Sequence, residues 1–169
     1  MKYAIIGHSE RRQYFGETSA EVGKKVRACL DNNLTPIACI GESLQEREAG
    51  QIWDVLKSQM DPILAAVTTQ EASRLVVAYE PVWAIGTGKT ASAAQAQEVH
   101  EKIRSWLASA FGADQAETVR LLYGGSVKPA NALELLSEKD VDGALVGGAS
   151  LAPESFLGIA AAAFELKSN

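Results

Sequence analysis

The sequence lacks the features that would suit it to a membrane or a nucleic acid. No apolar run approaches the roughly 18 residues of a membrane-spanning helix, and the amino-terminal apolar run is too short for a signal peptide. Sixteen lysines and arginines stand against 21 aspartates and glutamates, a net charge of −5. No basic cluster is present to bind a phosphate backbone. We therefore expect neither a membrane nor a nucleic acid as a partner.

Cysteine is also scarce. Only Cys29 and Cys39 are present, both inside apolar segments and without the Cys-x-x-Cys spacing of metal or redox sites. We expect two buried, reduced thiols in a cytoplasmic protein, and neither a disulfide, a metal centre nor a cofactor.

What the sequence does contain is a regular alternation of short apolar runs and amphipathic segments. Its 169 residues, 47% of them hydrophobic, fit one domain, residues 1–169. Nearly continuous apolar runs are typical of parallel strands that are covered on both faces. The predicted strands are residues 3–7, 36–41, 75–79, 119–123 and 143–147.

Apolar residues at helical spacing predict helices around residues 22–30, 52–63, 99–110, 130–136 and 155–166. Ser92 and Gln95 form a capping box for the third of these helices, and Pro129 suits the first turn of the fourth. His100, between two glutamates on the third helix, is expected on the surface. Five strand–helix units predict an α/β protein with a parallel sheet.

Residues 86–90 end in Gly88-Lys89-Thr90, which resembles the tail of a Walker phosphate loop. The first glycine of that loop would fall on Trp83, whose side chain prevents close approach to a phosphate, so we reject a nucleotide site. The glycines favour a mobile lid hinged at residues 81–83 and 89–91.

The carboxyl ends of parallel strands are where such proteins carry their chemistry. Glu80 follows the third strand. A carboxylate from which a closed lid excludes water can act as a general base. The alternative is a solvated carboxylate at the end of a strand. His8 follows the first strand, where a helix amino end capped by Ser9 would keep it neutral; the alternative is a packed structural histidine. Glu42 follows the second strand.

Two glycine pairs, Gly124-Gly125 before Ser126 and Gly147-Gly148, each end a strand and precede a helix. Backbone amides there are free to converge on one anion. A tight turn explains either pair alone, but both together predict a site for a small phosphate.

Five segments resemble the triosephosphate isomerase family in order and spacing: IIGHSERR, CIGE, AYEPVWAIGTGKTAS, LYGGSVKPAN and GALVGGASL. The resemblance implies interconversion of dihydroxyacetone phosphate and glyceraldehyde 3-phosphate through an enediolate, with Glu80 as base and neutral His8 as electrophile, this family being a known example of tuned acid–base chemistry. It further implies Glu10 as a carboxylate behind the site and Cys39 as a buried thiol beside it. The implied phosphate donors are Gly86, Ser126, Gly147 and Gly148.

The family has a closed barrel of eight strand–helix units, and this chain matches only the fourth to the eighth. We expect a partial (β/α)8 barrel, its C-terminal five-eighths, open as a monomer and covered by a homo-oligomer. The asparagine and lysine that the family carries after its first strand are absent, so weak activity is expected. The alternatives are a split enzyme that needs a separate N-terminal fragment, and a non-catalytic phosphate-binding or structural oligomer.

Overall fold

The computed structural model describes residues 1–85 and 90–167, which form one parallel sheet with flanking helices. Its five strands pair in chain order. They are β1 (Tyr3–Ile6), β2 (Thr35–Ile40), β3 (Val76–Tyr79), β4 (Arg120–Tyr123) and β5 (Gly143–Ala144). The helices are α1 (Ser9–Phe15), α2 (Ser19–Asp31), α3 (Leu44–Glu48), α4 (Ile52–Ala65), α5 (Ala93–Phe111), α6 (Ala113–Ala116), α7 (Pro129–Leu136) and α8 (Pro153–Lys167).

The predicted α/β class with an open parallel sheet is confirmed, and each predicted strand and helix is present. Among the strands, the largest difference in length is at β5, where pairing stops after two residues although the apolar run continues to Gly147. The capping box of Ser92 and Gln95 at the start of α5 is also confirmed. In the described parts of the connections, 3₁₀ turns lie at Thr69–Arg74, Val82–Ala84 and Gly148–Leu151.

The strand register separates an apolar face covered by helices from a face that is partly open. On the covered face the aligned residues are buried: Ile6, Ala38, Val77 and Leu121. The opposite face is not closed at the β1 end, because Tyr3 is 45% and Ile5 is 52% exposed. The Arg120 guanidinium lies over the Tyr3 ring, 5.8 Å from its centroid. The arrangement is consistent with part of a barrel whose inner face is open beside β1.

The expectation that His100 lies on the surface is wrong. On α5, His100 lies one residue after Val99 and three residues before Ile103, so it belongs to the helix face that packs on the sheet. The residue is 0% exposed. Its ring packs edge-on against Tyr79, with centroids 5.9 Å apart. The neighbouring glutamates favour a solvent-exposed position in the sequence, but they lie beside the buried face of α5 and are not part of it.

The thiols agree with the sequence prediction in part. Both are free, and Cys39 is buried, whereas Cys29 is only half-buried on α2. Among the described helices, none combines the length and the apolar character needed to cross a bilayer.

The burial of His100 predicts a pH-dependent stability. Burial lowers the pKa of His100 to about 4, and its Nδ1 lies 3.1 Å from the Asp140 carbonyl oxygen. In the unfolded chain the pKa is ordinary, about 6.5. The unfolded state therefore takes up the proton first as the pH falls, and the folded state loses stability between pH 6.5 and 4, by roughly 3 kcal/mol in all.

Urea unfolding across this pH range should show that slope, and His100→Gln should reduce it. The two histidines of the chain give separate ring signals in an NMR titration, and the variant assigns that of His100. A His100 signal that titrates near pH 6.5 in the folded protein would contradict the prediction.

Candidate functional site

The carboxyl ends of the strands meet at one cavity of about 560 Å³. The predicted site residues that follow β1, β3, β4 and β5 all line this cavity. These lining residues are His8, Glu80, Gly124, Gly125, Ser126, Gly147 and Gly148. The acid–base candidates and the glycine pairs therefore share one hollow.

Glu80 is a buried carboxylate rather than a solvated one. The residue is 2% exposed, and its backbone N–H extends the ladder from β3 to the Ile40 carbonyl oxygen of β2 at 2.7 Å. Its Oε2 accepts a hydrogen bond from the Ser9 N–H at 3.1 Å. Burial raises the pKa of Glu80 above its ordinary value, although His8 and the Ser9 amide oppose this. A carboxylate with a raised pKa is better suited to accept a proton from carbon.

His8 is the residue that caps α1, and the prediction that Ser9 does so is wrong. The Nδ1 atom of His8 accepts the Glu10 N–H at 3.3 Å. A ring nitrogen that accepts a hydrogen bond carries no proton, so the imidazole is neutral with its proton on Nε2. The amino end of the helix thus selects one tautomer of the ring.

The other ring nitrogen faces the carboxylate. His8 Nε2 lies 3.0 Å from Glu80 Oε1, so the neutral ring donates its remaining proton to the acid–base candidate opposite. A hydrogen-bond donor and a buried carboxylate within contact of each other are the two groups needed to move a proton next to a carbonyl and to polarise that carbonyl.

The contact depends on how closely β2 and β3 approach at their ends. A Cβ atom placed on Gly41 would lie 1.7 Å from the Glu80 carbonyl oxygen. Only glycine fits at this position, and its absence of a side chain sets where the Glu80 backbone lies. Gln59 of α4 holds the same glycine, accepting the Gly41 N–H at 2.8 Å and donating to its carbonyl oxygen at 2.9 Å.

A second group of residues, which the sequence analysis missed, holds the turn before His8. Glu17 is 7% exposed and its Oε2 accepts the Gly7 N–H at 3.1 Å. Arg12 donates from Nε to the Gly7 carbonyl oxygen at 2.9 Å and from Nη2 to the Cys39 carbonyl oxygen at 3.2 Å. The peptide units on both sides of Gly7 are thereby fixed. The only sequence signal was the charge-rich stretch after the first strand, which gives no hint of these partners.

Glu42 joins the end of β2 to the segment that follows β3. It is fully buried, and its Oε1 accepts hydrogen bonds from the Tyr79 hydroxyl at 3.1 Å and the Trp83 Nε1–H at 2.9 Å. Arg47 supplies the compensating charge, with Nη1 2.9 Å from the same oxygen. Residues 82–84 are thereby attached to the sheet directly before the predicted lid.

The wall of the cavity that carries the second glycine pair is more open than the wall that carries Glu80. Gly147 and Gly148 are exposed, and a Cβ on either would meet nothing within 4 Å. Ser126 is half-buried, and its carbonyl oxygen accepts a hydrogen bond from the Asn131 side-chain amide at 3.1 Å. Ser155, near the start of α8, also lines the cavity. Backbone amides on this wall have room for a tetrahedral anion.

Two predicted site residues do not join this group in the described structure. Glu10 is exposed on the first turn of α1 and is not among the residues that line the cavity. Gly86 lies in residues 86–89, outside the described residues, as does most of the predicted lid. Ile85, directly before it, does line the cavity. Among residues 1–85 and 90–167, no cluster of His, Cys, Asp or Glu side chains is arranged to hold a metal ion.

Comparison with known proteins gives one consistent family. A family model described as triosephosphate isomerase matches residues 1–163. Proteins named triosephosphate isomerase from Alkaliphilus oremlandii and Lacticaseibacillus casei are each 56% identical, over 159 and 158 residues. Each alignment covers 94% of this chain but only 64% and 63% of the relative. One from Trichlorobacter lovleyi is also 56% identical, over 62% of its length. The chain thus spans less than two thirds of these relatives.

Because Glu17 holds the turn before His8, removing its charge should lower the free energy of unfolding. Burial would raise the pKa of Glu17, but the ion pairs with Lys25 and Arg11 outweigh it and the pKa is lowered. The stabilisation is therefore present at neutral pH and disappears as the pH falls through the lowered pKa. Glu17→Gln should reduce the free energy of unfolding by about 1–3 kcal/mol at pH 7.

Urea unfolding of wild type and variant at pH 7 and at acid pH measures this difference. Glu134→Gln, an exposed carboxylate on α7, is the matched control and should change stability little. Equal losses in the two variants would contradict the structural role of Glu17.

Proposed function

Because the chain belongs to the triosephosphate isomerase family, we propose that it interconverts dihydroxyacetone phosphate and glyceraldehyde 3-phosphate. The observation that carries the proposal is the contact between a neutral His8 and a buried Glu80, 3.0 Å apart, in a cavity lined by two glycine pairs. This is the pairing of donor and base that an enolisation needs.

In the proposed reaction, Glu80 removes a proton from the carbon next to the substrate carbonyl. The electron pair moves to the carbonyl oxygen, and the His8 Nε2–H stabilises the enediolate that forms. His8 carries a proton from the hydroxyl oxygen on one enediolate carbon to the former carbonyl oxygen on the other, and Glu80 returns the carbon-bound proton to that other carbon. The aldehyde and ketone thereby exchange places, and no atom is gained or lost. Neutral His8 suits the role because it donates a hydrogen bond without forming a fixed ion pair with the base.

The substrate phosphate is proposed to bind at the opposite wall. Backbone amides of Ser126, Gly147 and Gly148 support this role because they belong to the cavity and leave space for an anion. Gly86, outside the described residues, is proposed as a further donor, and Glu10 as a carboxylate that assists from behind the site. The activity of this chain alone is proposed to be weak. The free thiols favour a reducing compartment such as the cytoplasm.

The proposed partner is a second copy of the chain, which would cover the open face. This is supported by the exposed apolar side chains of Tyr3 and Ile5 on β1 and Leu157 on α8. Within the described residues, β1 and β5 each pair on one side only, and unpaired strand edges favour association. The alternatives are a separate polypeptide that supplies further strand–helix units, and an oligomer that binds phosphate without catalysis.

Glu80→Gln is expected to abolish the isomerase activity, because the amide cannot accept the carbon-bound proton. A lost general base costs about 10²–10⁴ in rate. A coupled isomerase assay measures turnover, and NMR detection of deuterium uptake by dihydroxyacetone phosphate measures slow proton removal. Glu134→Gln is the control. Activity that is the same in Glu80→Gln and wild type would come from a contaminant and would count against the proposal.

The association proposal predicts a particle larger than one 18.0 kDa chain in light scattering at micromolar concentration. Tyr3→Ser should weaken association, whereas Leu133→Ser, with a similar exposure of 40% on α7, should not. A well-folded monomer would overturn the homo-oligomer. A sharp gain in rate on adding the part of a relative that this chain does not match would favour the split enzyme.

A further inference from the structure

Among the described residues that line the cavity, one side chain could offer a positive charge to a phosphate. Three of the described lining residues have ionisable side chains, namely His8, Glu80 and Lys128. His8 is neutral, and Glu80 is anionic when it acts as a base. The chain as a whole carries a charge of −5. Without Lys128, a phosphate that enters would meet electrostatic repulsion that only backbone dipoles could offset.

Arg12 is close enough to Glu80 to lower the pKa of that carboxyl group, but its hydrogen bonds are directed elsewhere. Nε and Nη2 bind the carbonyl oxygens of Gly7 and Cys39, and Nη1 donates to the Ser19 hydroxyl at 3.2 Å. Arg12 is also not among the residues that line the cavity. The hydrogen-bond donors of the Arg12 guanidinium are thus directed at backbone and side-chain oxygens outside the cavity.

Lys128 is placed differently. It is exposed, lines the cavity beside Ser126, and directly precedes the first residue of α7. Within the described residues, no carboxylate lies within 4 Å of its ammonium group, since none of the ion pairs there includes Lys128. Its charge is therefore available to a ligand.

The backbone of Lys128 is also held in place. Asn131 accepts the Lys128 N–H at 2.7 Å and donates to the Ser126 carbonyl oxygen at 3.1 Å. A single side chain thus fixes the spacing between Ser126 and Lys128. Val127 between them is buried, which anchors the turn to the core. The backbone of Lys128 is thus held in place on the wall of the cavity that carries Ser126.

From these observations we propose that Lys128 is a binding residue for the substrate phosphate, supplying the positive charge that the described wall otherwise lacks. The inference rests on the proposed function, since it assigns a cation to the phosphate subsite of the same cavity. As a compact charge on a flexible stem, the ammonium group adds attraction, whereas the backbone amides fix the orientation of the anion. Lys128 takes no part in moving protons between Glu80 and the substrate.

Titration of the ¹⁵N-labelled chain with inorganic phosphate, at constant ionic strength set with sodium chloride, tests the proposal. The amide signals of Gly125, Ser126, Gly147 and Gly148 report binding at the cavity. Lys128→Ala should weaken phosphate binding by about tenfold, the loss expected for one charge-assisted hydrogen bond. Lys128→Arg should retain most of the affinity because the charge is kept.

Lys139→Ala is the matched control. Lys139 is also exposed and its loss changes the net charge equally, but it does not line the cavity. Lys139→Ala should bind phosphate as the wild type does. Thermal unfolding of each variant confirms that the fold is kept.

The outcomes separate the two proposals. If wild type binds phosphate at these amides and Lys128→Ala binds no more weakly than Lys139→Ala, the role of Lys128 is overturned while the phosphate site stands. If phosphate does not move these amide signals in wild type, both the phosphate site and the role of Lys128 fail.

Discussion

The close approach of β2 and β3 at their carboxyl ends is the constraint on which the site depends. Gly41 lies so near the Glu80 carbonyl that a single added carbon atom would separate the strands. The Glu80 N–H continues the ladder to Ile40 at 2.7 Å, so the carboxylate leaves the sheet at a fixed point. His8 leaves β1 from a turn that is held equally firmly, through Gly7. Backbone geometry thus brings the two side chains together, and no flexible loop is needed to align them.

Much of this could be predicted from the sequence, because the signals were local. Continuous apolar runs located the strands, and since parallel strands end on one side of the sheet, the polar residues after them had to meet. Topology of this kind predicts that His8, Glu80 and the two glycine pairs lie at one edge of the sheet, and in the structure they line one cavity. The resemblance added roles to these residues, but their proximity followed from topology.

What could not be predicted depends on contacts between residues far apart in the chain. Glu17 lies ten positions from Gly7 across a helix, and nothing in the periodicity of the sequence indicates that one holds the other. The error at His100 has the same origin, because its neighbours in sequence are charged whereas its neighbours in space are Tyr79 and Tyr123. The choice of His8 over Ser9 as the helix cap depended on one backbone angle, which residue types alone do not fix.

β5 forms two register pairs with β4, Gly143 opposite Leu122 and Ala144 opposite Tyr123, with a backbone hydrogen bond of 2.9 Å on either side of them. Pairing at β2 and β3, by contrast, runs over four positions. The wall of the cleft that carries Gly147 and Gly148 is therefore less firmly braced than the wall that carries Glu80. A doubly charged molecule bound across the gap would contact the more rigid wall, which carries Glu80, on one side. On the other side it would contact the less rigid wall, which carries Gly147 and Gly148. Occupancy itself would then help to set the distance between the two walls.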